Sequence, residues 1–107
     1  MSRAQAASDV FQAIADPTRR EILAFLKSGE RPVSELTGQF PVTMSAISQH
    51  MRVLREAGLV SVRPSGRERF YRINAEPLKL VSGWALQYED FWRDKLVALG
   101  EHLENES

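Results

Sequence analysis

The apolar residues of this chain change their spacing abruptly at Gly58. Before this glycine, Ile47, Met51 and Leu54 recur at intervals of three and four residues, which is typical of the buried face of a helix. After it, two short runs within residues 59–73 alternate between apolar and polar side chains, which is typical of strands. A helix that leads directly into a hairpin predicts an α+β fold that is mainly α.

Capping residues predict two further helices near the N-terminus. The first covers residues 8–15, where a Ser-Asp pair precedes an apolar stripe. The second begins at Asp16, a favourable N-cap, because Pro17 fits the first helical position and loses no hydrogen bond there. We expect this helix to end near Gly29, since glycine commonly terminates helices.

Residues 34–57 have the form of a helix-turn-helix. Ser34 opens a short helix, and Pro41 interrupts it because the residue before a proline disfavours helical geometry. Thr43 then caps a longer helix, which in this motif enters the major groove of DNA. An ordinary pair of helices in a small bundle has the same pattern. The hairpin over residues 59–73 favours the first interpretation, because it supplies a wing beside the longer helix.

The exposed side of the longer helix carries small and hydrogen-bonding residues and no carboxylate. Residues 36–55 contain neither Asp nor Glu, so this segment would not repel phosphate. Gln49 is suited to paired hydrogen bonds with adenine, and Arg52 to a phosphate contact. The residues that we predict to contact DNA are Thr43, Ser45, Ala46, Ser48, Gln49, His50 and Arg52 in the helix, with Arg67 and Arg69 in the hairpin.

For several residues the pattern leaves a structural alternative open. His50 adjoins the apolar face of the helix and would pack against the core instead. Arg63 and Arg69 are also consistent with surface charges on a strand. Arg19 and Arg20 lie at the start of the second helix, where the helix dipole disfavours a cation. Each of these two therefore needs a partner, which is either DNA phosphate or a nearby carboxylate.

The C-terminal third predicts one long helix, from Pro77 to about Glu104, with a large apolar side. Four of the nine aromatic residues lie within residues 84–92, which exceeds what the core of so short a chain needs. We therefore expect a homodimer built from residues 8–15 and 78–103, and the alternative is a small-molecule pocket between the subunits. The predicted interface residues are Phe11, Leu80, Trp84, Tyr88, Phe91, Trp92, Leu96 and Leu99.

Charge and composition exclude several classes of protein. Fourteen basic and fourteen acidic residues give a net charge of zero, so the chain is not a uniformly basic coat for nucleic acid. Residues 1–75 carry +4 and residues 76–107 carry −4, which favours a basic face for a polyanion. Two isolated histidines and the lack of a glycine-rich phosphate loop argue against an enzyme. No apolar run approaches the roughly 20 residues of a membrane span, so we expect a cytoplasmic protein.

Three segments resemble the ArsR/SmtB family of bacterial winged-helix repressors. They are residues 10–26, which contain an Ala-Asp-Pro-Thr-Arg sequence, residues 43–60 and residues 62–72. The resemblance implies a homodimeric winged helix-turn-helix protein in the order α-α-α-α-β-β-α, with a long C-terminal dimerisation helix. It also implies that the fourth helix reads operator DNA. We expect a single DNA-binding domain over residues 1–107.

Met44 departs from the pattern of this family, which more often has Gln or Arg at the equivalent position. Base contact from Met44 is therefore not expected. Its spacing of three residues from Ile47 makes it a further candidate for the core face of the longer helix.

The metal sites of this family are not predicted here. Metal-sensing members use a Cys-x-Cys pair before or within the third helix, or paired Asp and His ligands on the last helix. The chain has no cysteine, residues 31–40 contain no histidine, and the last helix has only His102. We expect DNA and a second copy of the chain as partners, with no metal, cofactor or membrane. The existence of an effector and the sign of regulation stay open, and the alternative is a winged helix that binds protein.

Overall fold

The computed structural model describes the backbone of residues 3–106 and the side chains of residues 8–95 and 97–101. Along this part of the chain, six α-helices and three strands follow one another. They are α1 (Arg3–Ile14), α2 (Pro17–Leu26), β1 (Arg31–Pro32), α3 (Val33–Gln39), α4 (Met44–Glu56), β2 (Val60–Ser65), β3 (Glu68–Ile73), α5 (Lys79–Leu86) and α6 (Glu89–Glu106), with a 3₁₀ turn at Glu76–Leu78. The predicted α+β class, mainly α, is confirmed.

The junction between α1 and α2 forms as the capping residues predict. The Asp16 side chain accepts a hydrogen bond of 3.0 Å from the backbone N–H of Arg19, and Pro17 takes the first helical position. The start of α1 was predicted wrongly, because the helix begins at Arg3 rather than near residue 8. The alanine-rich residues 3–7 extend the helix through helix propensity, which an apolar periodicity does not reveal.

The helix-turn-helix consists of α3 and α4. Phe40 has an extended backbone with ψ of 142° and ends α3, as expected for the residue before Pro41. Thr43 caps α4 by accepting a hydrogen bond of 3.1 Å from the N–H of Ala46. The start of α3 differs from the prediction: it begins at Val33, with no side-chain cap from its own N-cap residue.

Strand β3 lies in the middle of a three-stranded antiparallel sheet of order β1-β3-β2. The turn of the hairpin is short, because Ser65 pairs with Glu68 and only two residues connect the strands. Gly66 has a φ of +63°, and a positive φ at the first central residue matches a type II′ turn. Strand β1 was not predicted, because two residues that include a proline carry no alternating pattern.

The prediction of one long C-terminal helix is wrong. The chain forms α5 and α6 instead, and the break falls at Gln87 and Tyr88. At the break, the N–H groups of Gln87 and Tyr88 donate to carbonyls three residues earlier, at 3.3 and 3.0 Å. This tightened turn ends an α-helix because it interrupts the regular bonds to the fourth preceding residue. Within residues 3–106, no helix is both long and apolar enough to cross a membrane.

The hydrophobic core lies between α1–α4 and the sheet. Its buried members are Val10, Ala13, Ile22, Leu23, Leu26, Leu36, Ile47, Met51, Leu54, Leu59, Val60 and Tyr71. Met44 does not join them, contrary to its assignment as a candidate, because α4 extends one turn beyond the core. Among the side chains that the structure describes in α5 and α6, none is buried, although Leu80 and Val81 pack against the core. These two helices therefore present apolar side chains to the surroundings.

Candidate nucleic-acid interface

Helix α4 separates an apolar face from a polar one. Ile47, Met51 and Leu54 are at most 2% exposed and hold the helix on the core. The opposite side carries five of the residues predicted to contact DNA, and all five are exposed: Thr43, Ser45, Ser48, Gln49 and Arg52, while Ala46 is half-buried. Because the core face is fixed, the polar face is presented as a rigid surface.

The wing is the hairpin formed by β2 and β3. Arg67 is exposed in its two-residue turn, and Arg69 is exposed on β3. Both positions allow the arginine side chain to contact a DNA phosphate. Arg63 is arranged differently, since its guanidinium donates to both carboxylate oxygens of Glu30, at 2.7 and 3.3 Å, and covers the ring of Phe70 at 5.0 Å.

The ion pair between Arg63 and Glu30 affects the pKa of both groups. The hydrogen bond from Arg63 lowers the pKa of the Glu30 carboxyl below its usual value, and the same bond raises the pKa of Arg63. Both groups therefore stay charged near neutral pH. Arg63 acts as a strand-surface charge, which is one of the two roles that the sequence leaves open for it.

A groove of about 220 Å³ lies between α4 and the sheet. Four of its lining residues are polar or basic, namely Ser48, Arg52, Arg55 and Arg69, and the others are Val33, Met51 and Tyr71. We call this the basic groove. Three guanidinium groups around one groove create a positive region suited to a phosphate group.

Arg55 is the residue of the basic groove that the sequence analysis missed. The signal was present, because Ser48, Arg52 and Arg55 are spaced by four and three residues and so share one face of α4. Arg52 also donates a hydrogen bond of 3.1 Å to Glu56, with both side chains largely exposed. An exposed pair of this kind is weak, so a phosphate can compete for Arg52.

His50 lies against the junction of α1 and α2 rather than with the exposed residues of α4. Its Nδ1 is 4.0 Å from Asp16 Oδ2 and 3.4 Å from Arg19 Nη1, and its side chain is 18% exposed. The backbone N–H of Arg19 has the largest effect on Asp16 and lowers the pKa of its carboxyl, and nearby His50 lowers it further. The contact of His50 with DNA stays a prediction that this geometry does not favour.

Arg19 and Arg20 both donate to backbone carbonyls near the end of α1. Arg19 donates to the carbonyls of Ala13 and Gln12, at 2.6 and 3.0 Å, and Arg20 donates to the carbonyl of Ile14 at 2.9 Å. These carbonyls end α1, where the helix dipole is negative and favours a cation. Both arginines therefore join α2 to the end of α1.

An aromatic cluster lies away from α4, where α1 meets α5. Its rings are Phe11, Trp84, Tyr88 and Phe91, with successive centroids 5.6, 5.5 and 6.2 Å apart. Trp84, Tyr88 and Phe91 are 51%, 47% and 78% exposed. Among the other predicted interface residues, Trp92 and Leu99 are exposed and Leu80 is half-buried, whereas the side chain of Leu96 lies outside the described residues.

Metal ligands are not grouped in the part of the chain that the structure describes. Among those residues, no three His, Cys, Asp or Glu side chains are placed to hold one ion. The side chain of His102 lies outside the described residues.

Comparison with known proteins identifies the family. Residues 16–62 match the profile described as "Bacterial regulatory protein, arsR family". The chain is 34% identical over 106 residues to the HTH-type transcriptional regulator Rv2034 of Mycobacterium tuberculosis, covering 99% of this chain and 96% of that one. It is 33% identical over 81 residues to the transcriptional repressor SdpR of Bacillus subtilis, covering 76% and 90% of the two chains.

A solved structure supports the same conclusion. The crystal structure of an ArsR family transcriptional regulator, RHA00566, superposes with a TM-score of 0.76 at 32% identity, covering 86% of this chain and 95% of that one. The resemblance to the ArsR/SmtB family that three segments indicate is thus confirmed, and the similarity extends over nearly the whole length of a relative. The chain belongs to the ArsR family of bacterial regulatory proteins, and it is a winged helix-turn-helix transcriptional regulator rather than an enzyme.

Proposed function

We propose that this protein is a homodimeric repressor that binds a palindromic operator in the bacterial cytoplasm without needing a metal. The observation that carries the proposal is the combination of an exposed face on α4 that holds no carboxylate before Glu56, at its last residue, with the three arginines of the basic groove beside it. This surface is suited to a negatively charged polymer whose grooves admit a helix, and duplex DNA is such a polymer.

The exposed residues of α4 divide into two roles in this proposal. Gln49 and Ser45 lie in the first turns of the helix, where a recognition helix meets base edges. Arg52, Arg55 and Arg69 surround the basic groove and hold a backbone phosphate there. Arg67 at the tip of the wing reaches a neighbouring phosphate or groove.

The aromatic cluster supports pairing of two chains. Exposed aromatic rings at the junction of α1 and α5 are costly in water, and burying them between two copies removes that cost. A symmetric pair would present two α4 helices to successive major grooves, about 34 Å apart. The operator should then be an imperfect palindrome, and a dimer bound to a promoter would block RNA polymerase.

The decisive experiment is fluorescence anisotropy with DNA from upstream of the protein's own gene, because autorepression is the simplest case. Random duplex is the control, EDTA is present throughout, and salt is varied between about 50 and 200 mM. We expect selective binding that weakens by orders of magnitude across this range. Equal affinity for both duplexes at every salt concentration would reject this operator. An absence of all DNA binding would favour a winged helix that recognises protein.

A second candidate function is a sensor whose ligand changes operator affinity. An apolar groove of about 480 Å³ lies between α2 and the end of β3, with Ile14, Leu23 and Ile73 in its lining and Arg20 and Lys27 as its basic members. The exposed surface of this groove is almost entirely apolar, so an apolar small molecule fits it. The probe is 1-anilinonaphthalene-8-sulfonate, titrated into the dimer with operator affinity measured at saturation. Unchanged operator affinity with bound dye would reject the sensor and leave a plain repressor.

A further inference from the structure

Met44 is the exception in the distribution of exposed apolar side chains. Among the described residues, eight large hydrophobic side chains are exposed, and seven of them lie between Trp84 and Leu99. Pairing of two chains through the C-terminal helices accounts for that group in the proposed function. Met44 is 70% exposed and belongs to α4 instead. It therefore lies on the helix that we assign to DNA, at the end of the apolar stripe rather than among the polar residues of the opposite side.

The capping of α4 fixes where Met44 lies. The Thr43 side chain accepts the N–H of Ala46 and so holds the first turn of the helix in place. Ile47, three residues after Met44, is fully buried, so the apolar stripe of α4 continues past the edge of the core. Met44 is consequently an apolar residue at the protruding N-terminal tip of the recognition helix, next to the exposed Ser45.

The chemistry of Met44 matches one feature of the major groove. Of the groups that the base pairs present there, the methyl group of thymine is apolar, and the others are hydrogen-bond donors and acceptors. A thioether side chain cannot use those donors and acceptors well, but it is flexible and polarisable and packs readily on a methyl group. Resting on the proposed function, and contrary to the expectation from the sequence that Met44 makes no base contact, we infer that Met44 is a specificity-determining residue that selects thymine by contact with its 5-methyl group.

The test replaces single thymines by uracil, which pairs identically but lacks the methyl group. Preferred duplexes are first selected from a random pool with the full-length protein. Each thymine of the preferred half-site is then changed to uracil, and affinities are measured for the wild type and for Met44→Ala. At one thymine, we expect the loss of the methyl group to weaken wild-type binding by about fourfold per half-site, as for one buried methyl group.

Coupling between the protein and DNA changes decides the inference. Met44→Ala should lose a similar factor on thymine DNA and be insensitive to uracil at that position, whereas Met44→Leu should keep the preference. The inference is overturned if every uracil has the same effect on the wild type as on Met44→Ala. It is also overturned if Met44→Ala loses the same factor of affinity on all DNA. Either result would leave the proposed function intact. Failure to select any preferred sequence would overturn both. Far-UV circular dichroism of each variant verifies that α4 still folds.

Discussion

The role of each arginine depends on the side chains and carbonyls that surround it in the fold. Arg19 and Arg20 cap the end of α1, and Arg63 is held by Glu30. Arg55 and Arg69 instead line the basic groove. The sequence shows a basic central region but assigns no partner to any of these residues. The partners of Arg19 and Arg63 lie elsewhere in the chain, so the fold was needed to separate these structural arginines from those that we propose to contact DNA.

Substitutions in α4 should separate base contacts from phosphate contacts. Arg52→Ala and Arg55→Ala should weaken binding to the operator and to random DNA by similar factors, and each should reduce the salt dependence. Gln49→Ala should weaken the operator more than random DNA, by about 1–3 kcal/mol if it pairs with adenine. Anisotropy titrations with both duplexes measure these effects. Equal losses for Gln49→Ala and Arg55→Ala on both duplexes would contradict the division of roles.

Asp16 predicts how stability responds to acid. Its pKa is lowered in the folded protein, chiefly by the N–H of Arg19, so the unfolded chain binds more protons between the two pKa values. Its stabilising charge is fully present above the ordinary carboxyl pKa and is lost as the pH falls through the lowered pKa. Asp16→Asn keeps a cap without the charge. The variant should be less stable than the wild type at pH 7, and the difference should shrink as the pH falls below the ordinary carboxyl pKa and through the lowered one.

Urea unfolding at a fixed protein concentration measures this change, because the stability of the proposed dimer would depend on concentration. Circular dichroism at each pH verifies that both proteins start folded. A difference in urea midpoint that is the same at pH 7 and pH 3 would indicate that only the cap, and not the charge, matters.

The wing is attached to the helix-turn-helix through the first turn of α3. Glu68, the first residue of β3, accepts hydrogen bonds from the N–H and the hydroxyl of Ser34, at 3.3 and 3.4 Å. The N-cap residue of α3, Pro32, provides no side-chain cap, so a carboxylate from the hairpin takes that role. The position of the wing beside α4 thus depends on a contact between two separate elements.

Glu68→Ala should loosen this attachment. We expect a loss of about 0.5–1 kcal/mol in the free energy of unfolding, as for a missing helix cap, and faster hydrogen exchange in residues 60–73. Glu68→Gln, which keeps an acceptor, is the matched control and should lose less. If Glu68 acts only through its charge, the expected result is different. Its removal would then leave stability unchanged and strengthen DNA binding, because one repulsive carboxylate is lost. Unchanged stability with tighter DNA binding in Glu68→Ala would therefore reject the attachment.

The described chain is extended, with principal dimensions of 53 × 41 × 21 Å, because α6 projects from the core. None of the described side chains of α6 is buried, so packing against the rest of its own chain stabilises this helix little. Association of two copies through the aromatic cluster and α6 would supply the missing packing. The break between α5 and α6 places Tyr88 between Trp84 and Phe91, and so keeps the three rings together.

Trp84→Ala should weaken the proposed dimer. A buried interface tryptophan commonly contributes about 2 kcal/mol or more, so the dimer dissociation constant should rise about thirtyfold or more. Leu86→Ala is the matched control, because Leu86 is similarly exposed and lies two residues away on another side of α5. Sedimentation over a range of concentrations measures both variants. A tight dimer in Trp84→Ala together with dissociation in Leu86→Ala would show that the interface lies on the Leu86 side of α5 instead.

The features that depend on neighbouring residues could be predicted from the sequence alone. Asp16 and Thr43 start their helices, Pro41 separates α3 from α4, and alternation identifies β2 and β3. Caps, proline geometry and periodicity act over a few residues, so they can be recognised in a single chain.

The features that join distant segments could not be predicted from the sequence and emerged from the packing of the fold. Glu68 lies 34 residues from Ser34, and Arg63 lies 33 residues from Glu30. The exposure of Met44 likewise depends on where the core ends, since the periodicity of α4 assigns it to the buried face. Such contacts depend on how the elements pack, and local propensity carries no information about that packing.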